Sequence, residues 1–96
     1  MRTPPKPPAW TFLSNHSHVL VTIARDPDIR VREIASAVGL TERAVQRILG
    51  ELEEAGALVR MRHGRRTHYE IRRDLPLRHP IESTHSVGEL LRLVES

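Results

Sequence analysis

"AVGLTERAV", residues 37–45, decides how the rest of the chain is read. Before Gly39, Val31, Ile34, Ala35 and Val38 recur on one side of a helix; after it, Val45, Ile48, Leu49 and Leu52 recur at the same period. A single glycine parts the two runs, and Thr41 follows at once with a hydroxyl suited to capping a new helix. The spacing predicts two amphipathic helices, over about residues 31–37 and 41–55, joined by a sharp turn. Gly56 is expected to end the second, because glycine readily takes the left-handed conformation of a helix terminus.

Outward toward the N-terminus, Val19, Leu20, Ile23 and Ala24 predict another helix, from Ser14 or Asn15 to Arg25, stopped by "DPD" at 26–28. Four of the seven prolines fall in "MRTPPKPP", so residues 1–9 read as a flexible proline-rich arm. Trp10, Phe12 and Leu13 are expected to fold back onto the core. Outward toward the C-terminus, the period drops to two over residues 58–72, which predicts a hairpin with "HGRR" at its tip. The expected register sets Met61 opposite Tyr69 and Val59 opposite Ile71, all four facing inward. Residues 74–80 are too proline-rich for regular structure, and a last helix is predicted from Ser86 to Val94, opened by the capping-box pair Ser86 and Glu89. Its stripe of Val87, Leu90, Leu91 and Val94 has no obvious local partner.

Composition bounds the function. Ninety-six residues make one small domain, and fourteen of the fifteen cations are arginine, the residue suited to forked contacts with phosphate and guanine. Seven arginines between Arg60 and Arg78 predict an electropositive face. With no cysteine there is neither a disulfide framework nor a thiolate metal site, and no apolar run reaches the roughly 18 residues of a membrane span. A cytoplasmic protein is expected. Lacking a glycine-rich phosphate loop or a convincing pair of acids on one face, the chain is not expected to be an enzyme or to hold a cofactor.

Helix, short helix, glycine turn, helix and basic hairpin, over residues 14–72, resemble the winged helix-turn-helix, and more narrowly the MarR/ArsR-type bacterial transcriptional regulators. The specific part is residues 31–50, where Ala35 stands four before Gly39, Val45 six after it and Ile48 three further on. "ELEEAGALVR", residues 51–60, is similarly typical of the step from recognition helix into wing. The fold class implied is mainly α with a small β-hairpin wing. Each residue also has its own reason: Ala35 is small where two helices approach, and Val45 and Ile48 hold the second helix against the first.

With Val45, Ile48 and Leu52 inward, the outer side carries Thr41, Glu42, Arg43, Gln46 and Arg47, which suit base reading in the major groove of double-stranded DNA. Gly50 lies on the same stripe. Arg62, His63, Arg65 and Arg66 at the wing would meet phosphates or the minor groove. The expected organisation is a DNA-binding domain over residues 10–73, with a linker and helix over 74–96 whose Val87, Leu90, Leu91 and Val94 form a homodimer. The function expected is transcriptional regulation, by repression. The resemblance also implies longer flanking helices and a ligand pocket, and their absence here argues against a small-molecule effector. Two alternatives stand beside this reading: a winged-helix module binding an acidic protein partner, and a metal-sensing regulator. For the latter, His79, Glu82 and His85 are the best trio, but their spacing crosses Pro80 and matches no standard zinc pattern, so no metal is expected.

Overall fold

The computed structural model describes residues 8–94, and Met1 to Pro7 of the expected arm lie outside them. Helix α1 (Asn15–Arg25) starts where the Ser14 hydroxyl accepts from the Ser17 amide, and stops as the Asp26 amide closes onto the Ile23 and Thr22 carbonyls. Helix α2 (Val31–Val38) opens with the Glu33 carboxylate accepting from the Arg30 amide at 3.1 Å. It ends at Gly39, where φ is +86°, a conformation costly for any residue with a Cβ. The Gly39 and Leu40 amides both close onto the Ala35 carbonyl, at 2.9 and 3.0 Å. Helix α3 (Glu42–Glu54) then begins with the Thr41 hydroxyl accepting from the Ala44 amide at 3.1 Å. Beyond Glu54 the Ala57 amide reaches the Leu52 carbonyl and the Gly56 amide that of Glu53, a complete Schellman closure.

These three helices pack pairwise around one core. Val19, Leu20, Val21 and Ile23 come from α1, Ile34 and Ala35 from α2, and Val45, Ile48, Leu49 and Leu52 from α3. The spacing read in the sequence is thus the buried face, and both expected caps are present.

The hairpin differs from its expected register by one residue. Strands β1 (Leu58–His63) and β2 (Arg66–Ile71) pair antiparallel with Leu58 opposite Ile71, Arg60 opposite Tyr69, Met61 opposite His68 and His63 opposite Arg66. The cause is the turn. Gly64, at φ +63°, and Arg65 make a two-residue loop, whereas the expected pairing of Met61 with Tyr69 needs three. Because strand side chains alternate, this slip exchanges the faces of β1. Leu58 is buried at 2% exposure, Val59 is 40% exposed, and the inward place above Leu58 belongs to Arg60. The hairpin is also tied to the helices along β2, where the Tyr69 amide donates to the Pro27 carbonyl at 2.9 Å.

The stretch from Asp74 to Ser86 is a closed loop. Leu77 donates to the His85 carbonyl and Val87 to that of Leu75, at 2.9 and 2.8 Å, and Leu75 and Leu77 pack against the core. Helix α4 (Val87–Val94) has the expected capping box, with Ser86 and Glu89 bonded reciprocally at 3.1 and 3.2 Å. Its stripe does have a local partner, contrary to expectation: α4 packs on α1, with Val87 at 5% exposure and Leu91 at 0%. The Arg25 guanidinium donates to the Val94 carbonyl at 2.9 Å across the same junction. Trp10 and Phe12 correct another expectation, since they are 68% and 92% exposed and pack on each other edge to face at 4.9 Å. Of the three residues expected to fold back, Leu13 alone is partly buried.

Candidate nucleic-acid interface

One side of α3 is consumed by the core, which leaves Glu42, Arg43, Gln46 and Arg47 exposed on the other. Thr41 is exposed just before the first turn, where free amides and the helix dipole favour an anion. The five expected reading residues therefore share one surface of one helix end.

Two of them carry partners that the sequence did not reveal. Arg47 donates to the Glu51 carboxylate at 3.2 Å, and Glu51 also lies 2.8 Å from His16 Nε2 on α1. The His16 hydrogen bond, aided by the Arg47 charge, holds the Glu51 carboxyl below its ordinary value. The Glu51 carboxylate thus joins α3 to α1, and the Arg47 side chain stays 63% exposed beside it. Gln46 is met from the wing: Arg60 donates through Nη1 to its amide oxygen at 3.3 Å, while Arg60 Nε donates to Glu53 at 2.8 Å. Glu53 is thus the anchor of a three-residue link between α3 and β1. Its hydrogen bond is the main cause that raises the Arg60 guanidinium above its usual value.

Arg62, His63, Arg65 and Arg66 are all exposed at the hairpin end. Arg62 stands opposite Thr67 on the same face as Arg60, whereas His63 and Arg66 stand opposite each other on the outer face. Sequence reading missed Arg30. It joins Arg65, Arg66 and Thr67 around a cleft of about 470 Å³ between the start of α2 and the wing tip. Nothing in a spacing rule could find it, because 35 residues separate Arg30 from Arg65. The wing is steadied beside this cleft by His68 Nδ1, 2.8 Å from the Asp28 carboxylate.

The metal trio is not brought together. His79 Nδ1 accepts from the Ile81 amide at 3.1 Å, and His85 Nδ1 lies 2.7 Å from Glu89, whose carboxyl this bond lowers. Among the described residues no group of three or more such side chains is placed to hold an ion. The expected dimerisation set is divided, with Val87 and Leu91 inside the monomer core, Leu90 and Val94 partly buried, and the neighbouring Leu93 80% exposed. None of the helices among the described residues is long and apolar enough to cross a membrane.

This combination, a helix-turn-helix with an exposed second helix and an arginine-tipped hairpin beside it, defines the winged helix-turn-helix class. A family model described as winged helix-turn-helix DNA-binding matches residues 14–59. The fold is also similar to that of two solved transcriptional regulators. The PcaV transcriptional regulator from Streptomyces coelicolor, solved in complex with its natural ligand, superposes over 62% of this chain and 44% of its own. Its TM-score is 0.54 and its identity 24%, a likeness of fold. The AntR antimony-specific transcriptional repressor superposes over 80% of this chain and 60% of its own, with a TM-score of 0.53 and 28% identity. A riboflavin kinase from Thermococcus kodakarensis is 43% identical over 49 residues, which are 51% of this chain and 23% of that protein. The chain thus spans about a quarter of that curated relative and about half of the two solved regulators.

Proposed function

We propose that this chain is a sequence-specific regulator of transcription, a repressor, that binds double-stranded DNA as a homodimer. In this reading α3 lies in the major groove, with Arg43, Gln46 and Arg47 at base edges and Thr41 and Glu42 at its mouth. Arg62, His63, Arg65 and Arg66 lie along the backbone or in the minor groove, and Arg30 adds a phosphate contact across the cleft. The observation that carries it is the surface of α3: polar, base-reading side chains line its outer side along a helix whose other side is anchored by four buried residues. Dimerisation is supported by apolar surface left uncovered at Trp10, Phe12 and Leu93, and the interface is assigned there rather than to the buried Leu91.

Selection of bound duplexes from a random pool near about 0.15 M salt tests the reading. A palindrome with half-sites about ten base pairs apart is expected, as two-fold related recognition helices require. A pool that stays random rules out sequence-specific regulation, and one from which no duplex is retained shifts the assignment to an acidic protein partner. A monomer mass by light scattering at tens of micromolar removes the dimer.

A further inference from the structure

We infer that Arg60 decides which bases Gln46 reads: by holding the Gln46 amide oxygen toward the wing, it leaves only the amide hydrogens facing outward, and so selects bases that present a carbonyl oxygen. The inference rests on the placement of α3 in the major groove proposed above.

The orientation of the amide is forced by chemistry. A guanidinium has donors and no acceptor, so the end of the Gln46 amide that faces Arg60 Nη1 at 3.3 Å is its oxygen, and Nε2 is the end turned away. Arg60 is itself fixed. It projects from the helix-facing side of β1 opposite the buried Tyr69, its side chain is only 30% exposed, and Glu53 holds its Nε at 2.8 Å. A clamp so placed restrains Gln46 before any DNA arrives.

A free glutamine reads adenine with both ends of its amide, donating to N7 and accepting from the N6 amino group. Here the accepting end is engaged and turned back. What Gln46 offers outward is a pair of donors, which suit guanine O6 and N7 or thymine O4. The amino groups of adenine and cytosine present a donor to that same place. Gln46 held in this way favours keto bases over amino bases, and Arg60 sets that preference from a strand that need not touch a base itself.

Two readouts on the full chain test this. In selected duplexes, the position that loses its preference in Gln46→Ala should carry guanine or thymine in the wild-type protein. Arg60→Met keeps an apolar stem on Tyr69 and removes the clamp; at that one position it should raise adenine by about fivefold or more, the discrimination of one bidentate pair. Gln46→Ala/Arg60→Met should match Gln46→Ala there. Adenine at that position in the wild-type protein overturns the inference, as does an Arg60→Met profile that is unchanged or altered equally at every position.

The second readout needs no DNA. Gln46 is the only glutamine in the chain and Asn15 the only asparagine, so an amide spectrum contains just two side-chain NH₂ pairs. The Gln46 pair should be ordered in the wild-type protein, with an order parameter above about 0.6, and should loosen in Arg60→Met. A Gln46 pair as mobile in the wild-type protein as in the variant overturns the clamp whether or not DNA binds. A wild-type protein that retains no duplex while Gln46 is ordered overturns the major-groove reading and the base preference with it, and leaves the clamp standing.

Discussion

Two helical glycines should respond to the same substitution with opposite sign. At Gly50 in α3 a Cβ would meet nothing within 4 Å, so Gly50→Ala adds only the helix preference of alanine, about 0.8–1.0 kcal/mol. At Gly88, in the first turn of α4, the same Cβ would lie 3.0 Å from both the Cβ and the carbonyl oxygen of Arg73. That carbonyl cannot simply retreat, because it accepts from the Gly88 amide at 2.8 Å. Overpacking of this kind costs about 1–3 kcal/mol, which offsets the preference for alanine and leaves a net loss of up to about 2 kcal/mol. Urea unfolding reads the difference directly. With a slope of roughly 1–2 kcal/mol per molar urea for so small a domain, the midpoint should rise by about 0.5–1 M in Gly50→Ala and fall in Gly88→Ala. Midpoints that move together, or a fall at Gly50, would refute the packing assigned to both helices.

Leu91→Ala should cost about 2–5 kcal/mol in the same assay, while Phe12→Ala changes stability by less than about 0.5 kcal/mol; equal effects would mean that α4 is not seated on α1. Because hydrogen bonding to His16 depresses the Glu51 carboxyl, its contribution to stability is present above the ordinary value of 4.5 and is lost as pH falls through the lower folded midpoint. The wild-type protein should therefore lose its advantage over Glu51→Gln only below that value, and a Glu51 titration by NMR with a midpoint at or above 4.5 would contradict the pairing. Arg65→Ala should weaken every duplex alike and lower the salt slope of binding by about 0.9, the signature of one lost phosphate contact. Arg43→Ala should instead change which bases are selected, and an Arg43→Ala profile identical to that of the wild-type protein would place Arg43 off the base edges.

The helices were legible because the signals that define them are local. Ser14, Thr41 and Ser86 each cap a helix through a partner three residues away, and Gly39 and Gly56 close helices through carbonyls four and three residues back. The wing register was less so. It turned on whether the tip held two residues or three, and the pattern of Val59 and Met61 favoured the wrong face because the stem of Arg60, a charged residue, occupies the inner one. The exposed candidates of the site were legible from helical periodicity, whereas their restraints were not. Arg60 reaches Gln46 across 14 residues and His68 reaches Asp28 across 40, and no spacing rule joins such pairs.

The seating of α4 on α1 has a consequence for the order in which the chain acquires its structure. At synthesis rates of about 5–20 residues per second, the stretch from the end of β2 to Val94 takes roughly 1–5 s to make. Throughout that interval the first helix has already been made, yet the side that will receive Leu91 stays open to water. Biosynthesis therefore passes through a stage in which α1 exists with that side uncovered, and α4 is the cover that completes the core.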